Sequence, residues 1–399
     1  MSVGISPRHL EKSADLVAAA NAATDGLAPV DLARFWADDA LARRDPFGAD
    51  IPQIPLGIHM GSEAVFDELG IAEDWHRLHH DAVWRAELHR RYNDRAEKIV
   101  GRRLLDETPP DPTHQWPAIK QLHDIFEARN EWHRESYWLH EAARTPDELA
   151  ELLDRVERRL DRLREFLLPP NWAAEKTRLS ALGLRPPLYR SQRGPVTFAT
   201  SIYGVENLIF LYYDHRDLME RFRDLLQRAI LDRARILDEE AGFASGGAPR
   251  GFYWLDDNSA QLNAKIYEFF GFPILKAVFE RYSPDPGDLR GQHSDSDMGH
   301  LLPILGRLQL TSVNFGPKLS VAEIRAHCPR AMIDGQLAPF TFSRNEEVNI
   351  VAEFLRDAEQ AREKRGLRFA TAGSVNNGSR LTGLRLIMAA IQRWGRYNS

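Results

Sequence analysis

The segment Leu289–Leu302, LRGQHSDSDMGHLL, holds two histidines, two serines and the aspartates Asp295 and Asp297 among apolar flanks. Imidazole and carboxylate groups at close spacing can hold a divalent metal, bind an anion or move protons. His293, Asp295 and Asp297 alternate, and in extended backbone residues two apart face one side. His300 follows His293 by seven residues, about two turns if one helix spanned both. The segment therefore predicts a metal set of His293, Asp295, Asp297 and His300, or an acid–base site at His293 and Asp295. A plainer role stands beside this: Asp297 caps a helix opening at Met298, and His300 lies on its surface. A second acidic group, Asp256-Asp257-Asn258, ends the apolar run FYWL.

These residues need elements to hold them. The chain has 399 residues, 43% of them hydrophobic, enough for a large core. A net charge of −6 with 28% charged residues gives no basic bias toward nucleic acid. The single cysteine, Cys328, excludes an internal disulfide framework and a thiolate-rich metal site. No run of about 18 apolar residues predicts a membrane span, and MSVGISPRHLEKSADL lacks the apolar core of a signal peptide, so the expected compartment is the cytoplasm.

Residues 1–50 read as a helical extension. PLGIHM is the first strand candidate, with His59 at its C-terminal end. Residues 71–190 read as a mostly helical insert. His76, His79, His80 and His89 in it, interleaved with arginines and acids, read as a solvated face. Thr145-Pro146-Asp147-Glu148, Ser320–Glu323 and Ser343–Glu346 are helix-start signals. From residue 194 onward strands are expected to alternate with helices, at GPVTFATSIYG, FYWLDDNS, LRGQHSD, LTSVNFGP, RAMIDGQLAP and LRFATAGS, with an eighth strand at 120–130. Apolar strands separated by amphipathic helices predict a parallel sheet covered by helices. The number of units, with no GxGxxG after any strand, predicts an α/β fold closed as a (β/α)8 TIM barrel over residues 51–399.

Barrel active sites lie at the C-terminal ends of the strands. The polar residues expected there are His59, Tyr203, Asp256, Asp257, Asn258, His293, Asp295, Asn314, Gln336, Ser374 and Asn376. Each also has a local role open to it: Asn258 as a cap, Asn314 in a turn with Gly316-Pro317, Asn376 in a loop. Their convergence on one rim carries the functional reading.

GPVTFATSIYG, WLDDNSAQLNAKIYEFFGFPILK, GQHSDSDMGHLLP, DGQLAP and TAGS, in this order, resemble the uroporphyrinogen decarboxylase superfamily, which includes tetrapyrrole decarboxylases and corrinoid-linked methyltransferases. The resemblance spans roughly residues 194–395 and implies a (β/α)8 barrel. The decarboxylases carry an arginine-rich segment after the first strand; here GIHMGSEAVFDELG has no arginine and three acids, which disfavours a multi-carboxylate tetrapyrrole. The zinc-dependent methyltransferases carry His-x-Cys after the fifth strand and a later Cys after the last; here His293-Ser294-Asp295 and Gly373-Ser374 stand in those places. The histidine is kept and both thiolates are gone. An oxygen-rich site of this kind suits zinc, iron or manganese rather than a thiolate zinc.

The leading expectation is a divergent enzyme of methyl (one-carbon) transfer or lyase chemistry on a small polar or anionic substrate. Asp256, Asp257, His293 and Asp295 are its catalytic candidates. His59, Tyr203, Asn258, Asn314, Gln336, Ser374 and Asn376 are its substrate-binding candidates. The alternatives are cofactor-free decarboxylation in tetrapyrrole metabolism and a non-catalytic ligand-binding barrel. A corrinoid or folate cofactor, a corrinoid protein partner and a homodimer are left open by the resemblance; nucleic acid and membrane are not expected partners.

Overall fold

The computed structural model describes residues 4–244 and 246–398. The chain divides into two units: one of residues 110–293 and 300–310, the other of residues 1–109, 294–299 and 311–399.

In the unit of residues 110–293, β1 (Asn130–His133) and β2 (Ser136–Leu139) form an antiparallel hairpin. The strand expected at 120–130 is thus a short helix, Leu122–Ile125, followed by a hairpin arm outside the parallel ladder. The Pro146–Leu160 helix starts as predicted, with the Thr145 hydroxyl accepting from the Glu148 N–H. Its face of Leu149, Leu152, Leu153 and Val156 is fully buried and packs on the Arg216–Glu240 helix. Gly242 follows that helix in the left-handed region, with φ +84°.

The ladder of this unit is β3 (Ser191–Arg193), β4 (Phe252–Leu255) and β5 (Arg290–Ser294), all parallel. The segment 194–204 corrects the sequence reading: it is a helix, Pro195–Tyr203, directly after β3. Eight of its nine residues are buried, so no polar face reveals the helical period. Pro195 at its first position has the fixed φ that starts a helix.

The other unit holds β6 (Ser312–Phe315), β7 (Met332–Leu337) and β8 (Leu367–Thr371), again parallel and laddered in sequence order. PLGIHM adds a one-residue parallel bridge, Leu56 to Phe369, with the Gly57 N–H donating to the Phe369 carbonyl at 2.7 Å. Helices Glu347–Ala361 and Leu381–Trp394 pack on each other, and Pro7–Ala22 lies along the first of them. The Ser320–Glu323 capping box forms. The one expected at Ser343 does not: Glu346 is the N-cap of the Glu347–Ala361 helix, without a side-chain cap bond. His89 is buried, bonded to Ser62 at 2.8 Å and to the Asp106 carbonyl, and is not part of a solvated face.

The chain is therefore an α/β protein with six parallel strands and many helices; eight laddered strands are not seen among the described residues.

Candidate active site

Strand parity decides which of the two adjacent aspartates meets solvent. Phe252, Trp254 and Asp256 continue one face of β4, and all three are fully buried. Leu255 lies on the other face and is exposed, and Asp257, half-buried, is the first residue of the short 3-10 helix Asp257–Gln261 that follows. The register pairs Arg193 with Leu255 and Leu255 with His293, so Arg193, Leu255 and His293 form a row on that second face. Asp257 stands just beyond the end of β4 beside this row. A carboxylate oxygen of Asp257 and a ring nitrogen of His293 lie within 4.8 Å of each other. Burial lowers the Arg193 pKa, and the Asp257 carboxylate acts in the opposite direction. Arg193 also reaches Ser201 at 3.3 Å.

This row is an imidazole, a carboxylate and a guanidinium at the C-terminal ends of neighbouring parallel strands. The first two can exchange a proton or share a divalent cation; the third can hold an anionic group. Arg193 escaped the sequence reading because its strand, Ser-Gln-Arg, has no apolar alternation. The signal that could have found it is the Gly-Pro that follows, a strand exit leading into Pro at a helix start.

Asp256 has a different setting. Its Oδ1 accepts from the Thr197 N–H at 2.8 Å, capping the Pro195–Tyr203 helix from a distant part of the chain, while Oδ2 meets no hydrogen-bonding partner. Burial pushes its pKa up to about 7, against the Thr197 hydrogen bonds and with a smaller contribution from Asp257. Asn258 donates its backbone N–H to the Thr197 hydroxyl at 2.9 Å and its side-chain amide to Thr200 at 2.8 Å. Asp256 and Asn258 thus fix the helix after β3 against the end of β4. Tyr203 is buried on that same helix, not at a strand end.

Gly194 is where the two segments touch most closely. A Cβ there would fall inside the Asp256 side chain. Gly194→Ala is expected to destabilise the protein by about 1–3 kcal/mol, as overpacking of a filled core does. Urea denaturation checks this; an unchanged midpoint would mean that the approach is looser than described.

His300 lies away from His293's role: its Nε2 donates to the Leu262 carbonyl at 2.8 Å. The remaining candidates belong to the other unit. Asp297 is exposed, 3.4 Å from the Lys318 ammonium. Asp295 is exposed, and a Cβ on Gly373, whose φ is +121°, would collide with its carboxylate. The two places where the family resemblance expects thiolates thus adjoin in the fold. Asn314 donates to the carbonyls of Asp334 and Thr371, at 2.5 and 2.9 Å, and so ties β6 to β7 and β8. Gln336 is fully buried and donates to the Gly316 and Leu319 carbonyls. Both amides brace backbone. Ser374 is exposed and Asn376 half-buried. His59 is exposed; partial desolvation of its ring, with Arg368 and Arg43 nearby, lowers its pKa.

No protein-family model matches the chain, and no curated protein does. A solved structure does. A methyltransferase from Methanosarcina mazei superposes with a TM-score of 0.51 at 16% identity, over 89% of this chain and 97% of that one. The likeness is one of fold. Among the described residues no helix is long and apolar enough to cross a membrane.

Proposed function

We propose that the chain is an enzyme acting on a small anionic substrate, by methyl (one-carbon) transfer or by lyase chemistry, at the Arg193–Asp257–His293 row. The observation that carries this is the approach of Asp257 to His293 on the face that also presents Arg193. A fold shared with a methyltransferase is consistent with the transfer reading, and the fold alone accommodates lyase chemistry as well. The closed (β/α)8 barrel is part of the same proposal, and so is membership of the uroporphyrinogen decarboxylase superfamily.

Each side chain has a distinct task in this reading. Arg193 holds the anionic end of the substrate through paired N–H donors. Asp257 and His293 hold a divalent cation or act together as acid and base. Asp295, two residues along the chain from His293, is the further oxygen donor the sequence offers. Imidazole with carboxylate oxygens and no thiolate fits zinc, iron or manganese. Such an ion would supply Lewis-acid activation of a substrate heteroatom. Asp256 is a positioning residue, since its buried carboxyl holds the helix that follows Arg193.

Elemental analysis of purified wild type beside His293→Ala and Asp257→Ala tests the assignment. About one equivalent of transition metal in the wild type, lost in both variants, is the expected result. Metal retained by both variants overturns the assignment. A wild type without metal removes the cation from the proposal and leaves acid–base chemistry. Methyl-transfer assays with a corrinoid or folate acceptor and small methylated substrates then separate transfer from lyase chemistry. In them Arg193→Ala raises KM more than it lowers kcat if Arg193 serves binding alone.

A further inference from the structure

A second, unrelated cleft of about 470 Å³ opens between the helices Pro7–Ala22, Glu347–Ala361 and Leu381–Trp394. Its wall carries Arg8, Lys12, Arg362 and Arg393, with Trp394 among them. None of these four cations makes an ion pair among the described residues; Lys12 and Arg393 lie 5.8 and 4.9 Å from the Trp394 ring centroid. The one acid on the wall, Glu359, is held by His9 at 2.8 Å.

Part of this charge has an ordinary structural reason. Arg393 lies in the last turn of its helix and Arg362 caps the C-terminus of another, where cations complement the helix dipole. Arg8 and Lys12 do not share that reason. They occupy the first two turns of the Pro7–Ala22 helix, the end that disfavours cations, and the first turn has no acid to offset them. Four cations so placed against the single carboxylate of Glu359, in a chain of net charge −6, leave a net positive charge in a concave space.

We propose that this cleft binds a small polyphosphate anion, of the diphosphate class, with Trp394 at its edge. Three arginines and a lysine on one cleft wall outnumber the charges of a single phosphate and favour a ligand with two or more phosphoryl groups. The volume is within the range of small-ligand pockets and admits a nucleoside attached to the diphosphate.

Calorimetric titration of the full chain with pyrophosphate, ADP and inorganic phosphate tests this, with the tryptophan fluorescence change of the wild type relative to Trp394→Leu as a second readout. Pyrophosphate and ADP are expected to bind at least about tenfold more tightly than inorganic phosphate. Tighter binding of ADP than of pyrophosphate, lost in Trp394→Leu, identifies a nucleotide; equal binding identifies the free diphosphate. Lys12→Glu with Arg362→Glu should weaken either ligand by about tenfold or more, with folding confirmed by an unchanged melting curve. Arg8→Gln, a milder change, should weaken it less, and the metal content at His293 should not respond. Absence of binding, or equal affinity in wild type and charge-reversed protein, overturns the proposal.

Discussion

At pH 8, Asp256→Asn is expected to be more stable than the parent protein by up to about 4 kcal/mol. Burial raises the acid from 3.8 to about 7 in the folded chain. Between those two values the folded protein holds a proton that the unfolded chain has released. The stability associated with the neutral acid is therefore complete below about pH 4 and is lost as pH rises through about 7. Above that, folding must bury a carboxylate whose Oδ2 has no partner. Asparagine retains an oxygen to accept from the Thr197 N–H and carries no charge at any pH. Urea denaturation at pH 5 and pH 8 reads the effect: the parent loses stability across this interval, and the variant lacks that component. Parallel losses in both proteins would place the titration elsewhere.

Asp357→Ala should cost about 3–5 kcal/mol. Asp357 is fully buried; its Oδ1 accepts from Arg356 at 2.7 Å and its Oδ2 from the Gln336 N–H at 3.2 Å. Burial raises its pKa and Arg356 opposes the rise. Arg356 in turn donates to the Gln336 carbonyl. Removing the carboxylate leaves a guanidinium that is 7% exposed without its counter-charge, and strips the acceptor from a backbone N–H in β7. Replacing both partners with apolar residues, Arg356→Met with Asp357→Leu, should recover much of the loss, because the uncompensated charge is what is costly. A double variant as unstable as the single one would assign the effect to the Gln336 backbone instead.

Particular residues show what the sequence could and could not convey. β4, β6, β7 and β8 were legible because Phe252–Leu255, Ser312–Phe315, Met332–Leu337 and Leu367–Thr371 are short runs with apolar residues bounded by turn residues, and the polar β5, Arg290–Ser294, by its place between the Pro- and Gly-rich turn before it and the polar cluster after it. Segment 194–204 misled for the same reason. A short helix buried all round, rich in Val, Thr, Phe, Ile and Tyr, has the composition of a strand, and its cap comes from Asp256, about sixty residues away. β3 was missed because three polar residues carry no pattern at all. In the candidate site, His293 and Asp257 were legible by type. That Asp256 points inward was legible too, since it extends the Phe252–Trp254 alternation; reading the two aspartates as equivalent overlooked this. The bracing roles of Asn314 and Gln336 were not legible, because their partners are carbonyls brought close only by the fold.

The path of the backbone has a practical corollary. Residues 1–109, 110–293, 294–299, 300–310 and 311–399 alternate between the two units, so the chain passes from one to the other four times. No single cut releases either unit as a continuous piece. A clone ending at residue 293 would lack the 300–310 part of its own unit. Truncation is thus a poor way to dissect this protein, and point substitutions in the intact chain are the informative ones. A terminus relocated to an exposed loop, with the original ends joined, would keep every segment and alter only the order of synthesis.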